Sequence, residues 1–140
     1  MTARLRGAGA RWGDGVVLAA AGSMDPAGPA DVEQAATLLS CEWGPRVTFA
    51  YLSAGNVSAG GPDLPEAVEY LRRTGADRVC VAPYLLAPGR FSRRVTELAL
   101  VAGATTVAPV LVGHRLVTDL VVLRYQQGLQ ALAATSHHAA

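Results

Sequence analysis

The stretch "VVLAAAGSMDPAGPADVE", Val16 to Glu33, decides the fold. It opens on an apolar run with no polar break, turns sharply through Gly22, Ser23, Asp25 and Pro26, and continues into a helical pattern. Val32, Ala35, Ala36 and Leu39 fall at i, i+3, i+4 and i+7, one face of an amphipathic helix. A strand that is apolar on both faces belongs in a parallel sheet covered by helices. The turn has the layout of an active-site turn, yet Ala19 to Gly22 offer no side chain that binds a metal or moves a proton.

The same unit recurs down the chain. Arg46–Leu52 ("RVTFAYL"), Asp77–Tyr84 ("DRVCVAPY") and Thr105–Val110 ("TTVAPV") read as strands after the first at Gly15–Ala20. Leu64, Ala67, Val68 and Leu71 form a second helical stripe, with Asp63 and Glu66 spaced as a capping box. Val95, Leu98, Ala99 and Ala102 form a third. A last helix is expected from about Leu116 to Ala133, with Leu116, Leu120 and Leu123 on one side. The βαβαβαβα order predicts an α/β fold, a four-stranded parallel sheet with helices on both faces. Residues 15–134 form the expected domain, residues 1–14 read as a linker or helix remnant, and residues 135–140 as a disordered tail holding His137 and His138.

Composition narrows the function classes. The chain has 140 residues, 51% hydrophobic and 16% charged, the balance of one folded domain. Its net charge of +1 leaves no basic footprint for nucleic acid. No apolar run approaches the ~20 residues of a membrane span. All twelve basic residues are arginine, the side chain suited to bidentate carboxylate or phosphate contacts. Cys41 and Cys80 lack metal or disulfide spacing, and Cys80 reads as a small buried hydrophobe. With no convincing secretion signal, a cytoplasmic location is expected.

In such folds ligands bind beyond the carboxyl ends of the strands. The loops there are "AGSMDPAG", "SAGNVSAGG", "LLAPGRFS" and "VLVGHR". The first is neither a phosphate loop nor a nucleophile elbow, because the required glycines and lysine are missing. Taken alone it reads as a turn and a cap. The third places Arg90, Arg93 and Arg94 at a helix start, either as a solvated face or as anion partners. His114 and Arg115 follow the fourth strand, and His114 has no second metal ligand nearby in sequence.

Together, "AGSMDP", "VAPYLLAPGRF" and "APVLVGHRLVTDLVVLRY" resemble the sirohydrochlorin chelatase family, the class II or CbiX-type chelatases, over about Val16 to Tyr125. The resemblance implies a chelatase-like three-layer sandwich. It also implies a lyase activity: insertion of cobalt or iron, or nickel in some members, into sirohydrochlorin or a related tetrapyrrole of cobalamin or siroheme biosynthesis. The metal is then a substrate, and no cofactor is held permanently. The family's first turn reads like H-G-S-R-D-P and its third loop like P-G-R-H. Ala21 and Phe91 stand at the two histidine positions, the family's metal-holding pair, while Gly22, Ser23, Asp25, Pro26, Pro88, Gly89 and Arg90 match. Alanine and phenylalanine cannot replace imidazole as ligands.

The implied candidate substrate contacts are Ser23, Arg90, Phe91, Arg93, Arg94, His114 and Arg115, with Leu85 and Leu86 against the macrocycle; no metal ligand and no assigned catalytic residue are expected. The chain resembles the degenerate C-terminal half of a two-half member, a non-catalytic domain. Its expected partners are a tetrapyrrole and either a histidine-bearing half or a second copy of itself, with no nucleic acid and no membrane. The alternatives are a rearranged enzyme using His114 and Asp25, and a tetrapyrrole- or partner-binding module without activity.

Overall fold

The computed structural model describes residues 1–23, 25–52 and 61–138, with 133–138 as backbone alone. Met24 and most of the loop read at Ser53–Asp63 lie outside the described residues. The strands are β1 (Gly15–Ala20), β2 (Val47–Tyr51), β3 (Val79–Pro83) and β4 (Thr106–Val107). They form one parallel sheet in the order β2-β1-β3-β4. The helices are α1 (Thr2–Gly7), α2 (Gly28–Trp43), α3 (Leu64–Arg73), α4 (Arg90–Val101) and α5 (Arg115–His138).

β1 is central, and all six of its residues are buried. Val17 and Ala19 face one core, with Leu64, Val68 and Leu71 of α3 and Val95 and Ala99 of α4. Val16, Leu18 and Ala20 face the other, with Leu5 of α1 and Val32, Ala36, Leu39 and Trp43 of α2. Strict alternation along one fully apolar strand therefore requires helices on both faces. The three-layer α/β sandwich expected from the sequence is the fold found.

Local chemistry sets the element ends. The Asp63–Glu66 capping box forms: Glu66 N–H donates to Asp63 Oδ1 at 2.9 Å and Asp63 N–H to Glu66 Oε2 at 3.0 Å. β4 is shorter than the expected Thr105–Val110. Its paired residues end at Val107, and Ala108 N–H donates the last bond toward β3, to Val81 O at 2.8 Å.

Residues 2–7, within the stretch read as a linker or helix remnant, form α1, and its Leu5 is fully buried. α5 departs from expectation in its packing. Its helical backbone runs beyond Ala134 to His138, and of its side chains from Arg115 to Gln130 only Val117 is half-buried; the others are exposed. Among the described residues, no helix is long and apolar enough to cross a membrane.

Below the sheet, at the amino ends of the strands, Asp14 ties three segments together. It accepts from Arg11 N–H at 2.8 Å, from Arg78 Nε and from the Cys80 thiol at 3.4 Å. Burial works against the charge on Asp14. The Arg11 N–H, Arg78 and Cys80 outweigh it and hold the carboxyl below its ordinary value. Burial, reinforced by the Asp14 carboxylate, pushes the Cys80 thiol up to about 12.

A carboxyl with a depressed folded pKa contributes stability above its unfolded value and loses it as pH falls through the folded value. Asp14→Asn should therefore cost about 1–3 kcal/mol at pH 7, and the difference from the parent should shrink as pH falls below about 4. Urea unfolding at a series of pH values measures both. Cys80 should resist a thiol reagent in the native state, whereas exposed Cys41 should react at once; counting labelled thiols before and after denaturation checks this.

Candidate functional site

All four strands point the same way, so the first, third and fourth loops gather at one edge of the sheet. β1 and β3 are neighbours, which puts the chain after Ala20 beside the chain after Pro83. Tyr84 N–H donates to Ala19 O at 2.7 Å and fixes that approach. The third and fourth loops are joined as well: Leu111 N–H donates to Leu85 O at 3.0 Å, and Val112 N–H to Leu86 O at 2.7 Å.

A cavity of about 260 Å³ opens between the first turn, the start of α2 and the ends of β2 and β3. Ala21, Gly22, Ser23, Asp31, Tyr51 and Tyr84 line it. The turn that shapes it is self-contained. Gly22 has φ +94°, a conformation that disfavours any side chain. Ser23 Oγ accepts from Asp25 N–H at 3.0 Å, and Asp25 Oδ1 accepts from Ala27 N–H at 2.9 Å. A Cβ on Gly28 would come within 2.6 Å of Ser23 Cβ, so glycine lets α2 start hard against the turn.

Ala21 therefore presents a methyl group, half-buried, to a formed cleft. The side chains around it do not converge as metal ligands; among the described residues, no three His, Cys, Asp or Glu side chains do so.

The other sequence candidates separate into groups. Arg90, Phe91, Arg93 and Arg94 lie in the first turns of α4 and are exposed. Phe91 does not line the Ala21 cavity. Among the described residues no carboxylate pairs with Arg90, Arg93 or Arg94, so their guanidinium groups face solvent as available anion partners. Ser92 holds the start of α4 instead, with its hydroxyl bonded to both Gly89 N–H at 2.8 Å and Gly89 O at 2.9 Å.

His114 is half-buried and caps α5, its Nδ1 accepting from Leu116 N–H at 3.3 Å. Arg115 turns along its own helix to Asp119 at 3.4 Å, both exposed. Asp25 Oδ1 and His114 Nδ1 each bond local backbone, on different loops.

The sequence of the chain fits one family from β1 into α5. The CbiX family profile matches residues 15–128. The chain belongs to the CbiX family, the sirohydrochlorin chelatases. As a CbiX domain it is of the tetrapyrrole chelatase type. Its fold is similar to a 1.60 Å crystal structure described as a cobalamin (vitamin B12) biosynthesis CbiX protein from Marinobacter aquaeolei VT8. The TM-score is 0.62 at 21% identity, over 84% of this chain and 98% of that one. No curated protein gives a significant sequence match.

Tyr51 is the site residue that sequence reasoning missed. It sits at the carboxyl end of β2, 3% exposed, and lines the same cavity as Ala21. Its hydroxyl is buried with no hydrogen-bond partner. Burial, and next the charge of Glu33, raise its pKa, so it stays a neutral phenol. The only sequence signal was a tyrosine ending a strand that points at the ligand edge. An unsatisfied buried hydroxyl costs stability, so Tyr51→Phe should raise it by about 1 kcal/mol. Thermal and urea unfolding of the pair measure the gain.

Proposed function

We propose that this CbiX domain binds a sirohydrochlorin-like tetrapyrrole as one wall of a cleft and does not itself insert the metal. The observation that carries the reading is Ala21: the turn and the cavity are formed, and the side chain facing them cannot hold cobalt or iron. Metal insertion requires a group that delivers the ion and one that accepts the pyrrole protons. His114 and Asp25 lie on different loops and each bonds its own local backbone, an arrangement that supports a non-catalytic half over a rearranged enzyme.

Cleft size supports the same reading. About 260 Å³ falls below the ~300–1,000 Å³ of pockets that enclose a drug-sized ligand, so a macrocycle needs a second wall. A histidine-bearing chelatase half or another copy of this domain would supply it. Arg90, Arg93 and Arg94 are suited to the carboxylates of the tetrapyrrole. The alternative, a tetrapyrrole- or partner-binding module with no part in chelation, uses the same contacts but has no need of a histidine-bearing half.

The purified chain should show no cobalt or iron insertion above the uncatalysed rate, while its titration with metal-free sirohydrochlorin should change the absorbance spectrum. Insertion at the rate of histidine-bearing relatives would contradict the proposal. Stimulation of a histidine-bearing half by this chain separates it from the plain binding module. Replacing Arg90, Arg93 and Arg94 by alanine together should weaken tetrapyrrole binding at least ~10-fold, since each charge-assisted contact is worth roughly 1.5–3 kcal/mol. Absorbance titration of the triple variant measures the loss.

A further inference from the structure

Another cavity, of about 260 Å³, opens at the amino ends of β1 and β2, opposite the ligand edge. Trp12, Asp14, Trp43, Gly44, Pro45 and Arg46 line it. The CbiX profile match starts at residue 15, so Trp12 and Asp14 precede it. One wall of this cavity therefore comes from outside the matched region.

That wall is fixed in place. Asp14 N–H donates to Arg11 O at 3.0 Å and Arg11 N–H to Asp14 Oδ2 at 2.8 Å, which closes the turn that carries Trp12. Trp43 is 1% exposed, and its Nε1–H donates to Asp14 O at 3.2 Å. Trp12 is 69% exposed. The two indoles form an aromatic pair, with centroids 6.4 Å apart and planes 41° from parallel. Gly44 has φ +116°, where a side chain is disfavoured, so bare backbone lines the cavity beside Trp12.

The available charge is positive. Arg46 is exposed, and among the described residues no carboxylate pairs with it. The Asp14 carboxylate is buried and already accepts from Arg11 N–H, Arg78 and Cys80. A lone surface tryptophan needs no explanation. Here, however, a fixed pair of indoles and an unpaired guanidinium border one cavity. Indole faces pack against flat rings, and a guanidinium binds a carboxylate. The volume lies below the ~300–1,000 Å³ of pockets for drug-sized ligands, which limits the occupant to one or two rings.

We infer that this cavity binds a small aromatic carboxylate, its ring against the Trp12–Trp43 pair and its carboxylate on Arg46. The site is separate from the Ala21 cavity, does not rest on tetrapyrrole binding and is tested without it.

The chain has two tryptophans, Trp12 and Trp43, so both indole N–H signals in a nuclear magnetic resonance spectrum report on this cavity. Benzoate, titrated into the isotope-labelled full chain at constant ionic strength, should shift both signals with a Kd below about 1 mM. Arg46→Gln should raise that Kd at least ~5-fold, because the charge-assisted contact is lost. Trp12→Ala, read from the Trp43 signal, should raise it by at least ~5-fold through loss of the ring contact. Benzyl alcohol and benzylamine, which keep the ring but lack the carboxylate, should each bind at least ~5-fold more weakly than benzoate. If Trp12→Ala fails to fold, Arg46→Gln and the two uncarboxylated rings decide. A benzoate Kd above about 1 mM, binding unchanged by either substitution, or benzyl alcohol or benzylamine as tight as benzoate would overturn the inference.

Discussion

The whole arrangement depends on β1 being apolar on both faces. Val17 and Ala19 cannot be covered by the helices that cover Val16, Leu18 and Ala20, so the chain must place helices on each side of the sheet. At ~25 cal/mol per Å² of apolar surface removed from water, no polar contact described for this chain competes with that constraint. It makes β1 central, puts β3 beside it, and brings the turn after Ala20 against Tyr84. The ligand edge is thus a consequence of how the core is covered.

That edge carries a formed turn with an alanine at the cavity. Gly22 and Gly28 permit the tight turn, and Ser23 and Asp25 satisfy its backbone. The methyl group of Ala21 and the phenol of Tyr51 face the cavity so formed. That wall has hydrogen-bonding and apolar groups, and the nearby guanidinium groups of α4 have no carboxylate partner among the described residues.

Much of this was legible in the sequence because it is local. The strand-turn-helix unit, the Asp63–Glu66 capping box and the alanine at the turn are each set by residues within a few positions of one another. What was not legible involves contacts distant in sequence. Arg78 and Cys80 meet Asp14 across more than sixty residues. α1 is too short to show a periodic stripe, and its one deciding residue, Leu5, is recognisable only once buried. For α5, periodicity revealed an apolar side but not that its side chains stand exposed, since exposure depends on which distant elements pack against the helix. Tyr51 was missed because an unsatisfied hydroxyl is a property of its surroundings.

A tetrapyrrole is proposed to bind this edge of the sheet. That binding is tested most directly by amide chemical-shift mapping of the isotope-labelled chain with metal-free sirohydrochlorin. The predicted result is a set of perturbations at Gly22, Ser23, Tyr84 and the Leu85–Arg94 segment, with Trp12, Gly44 and Arg46 at the opposite end of the strands unmoved. Perturbations centred on that opposite end, or none with saturating ligand, would contradict the account.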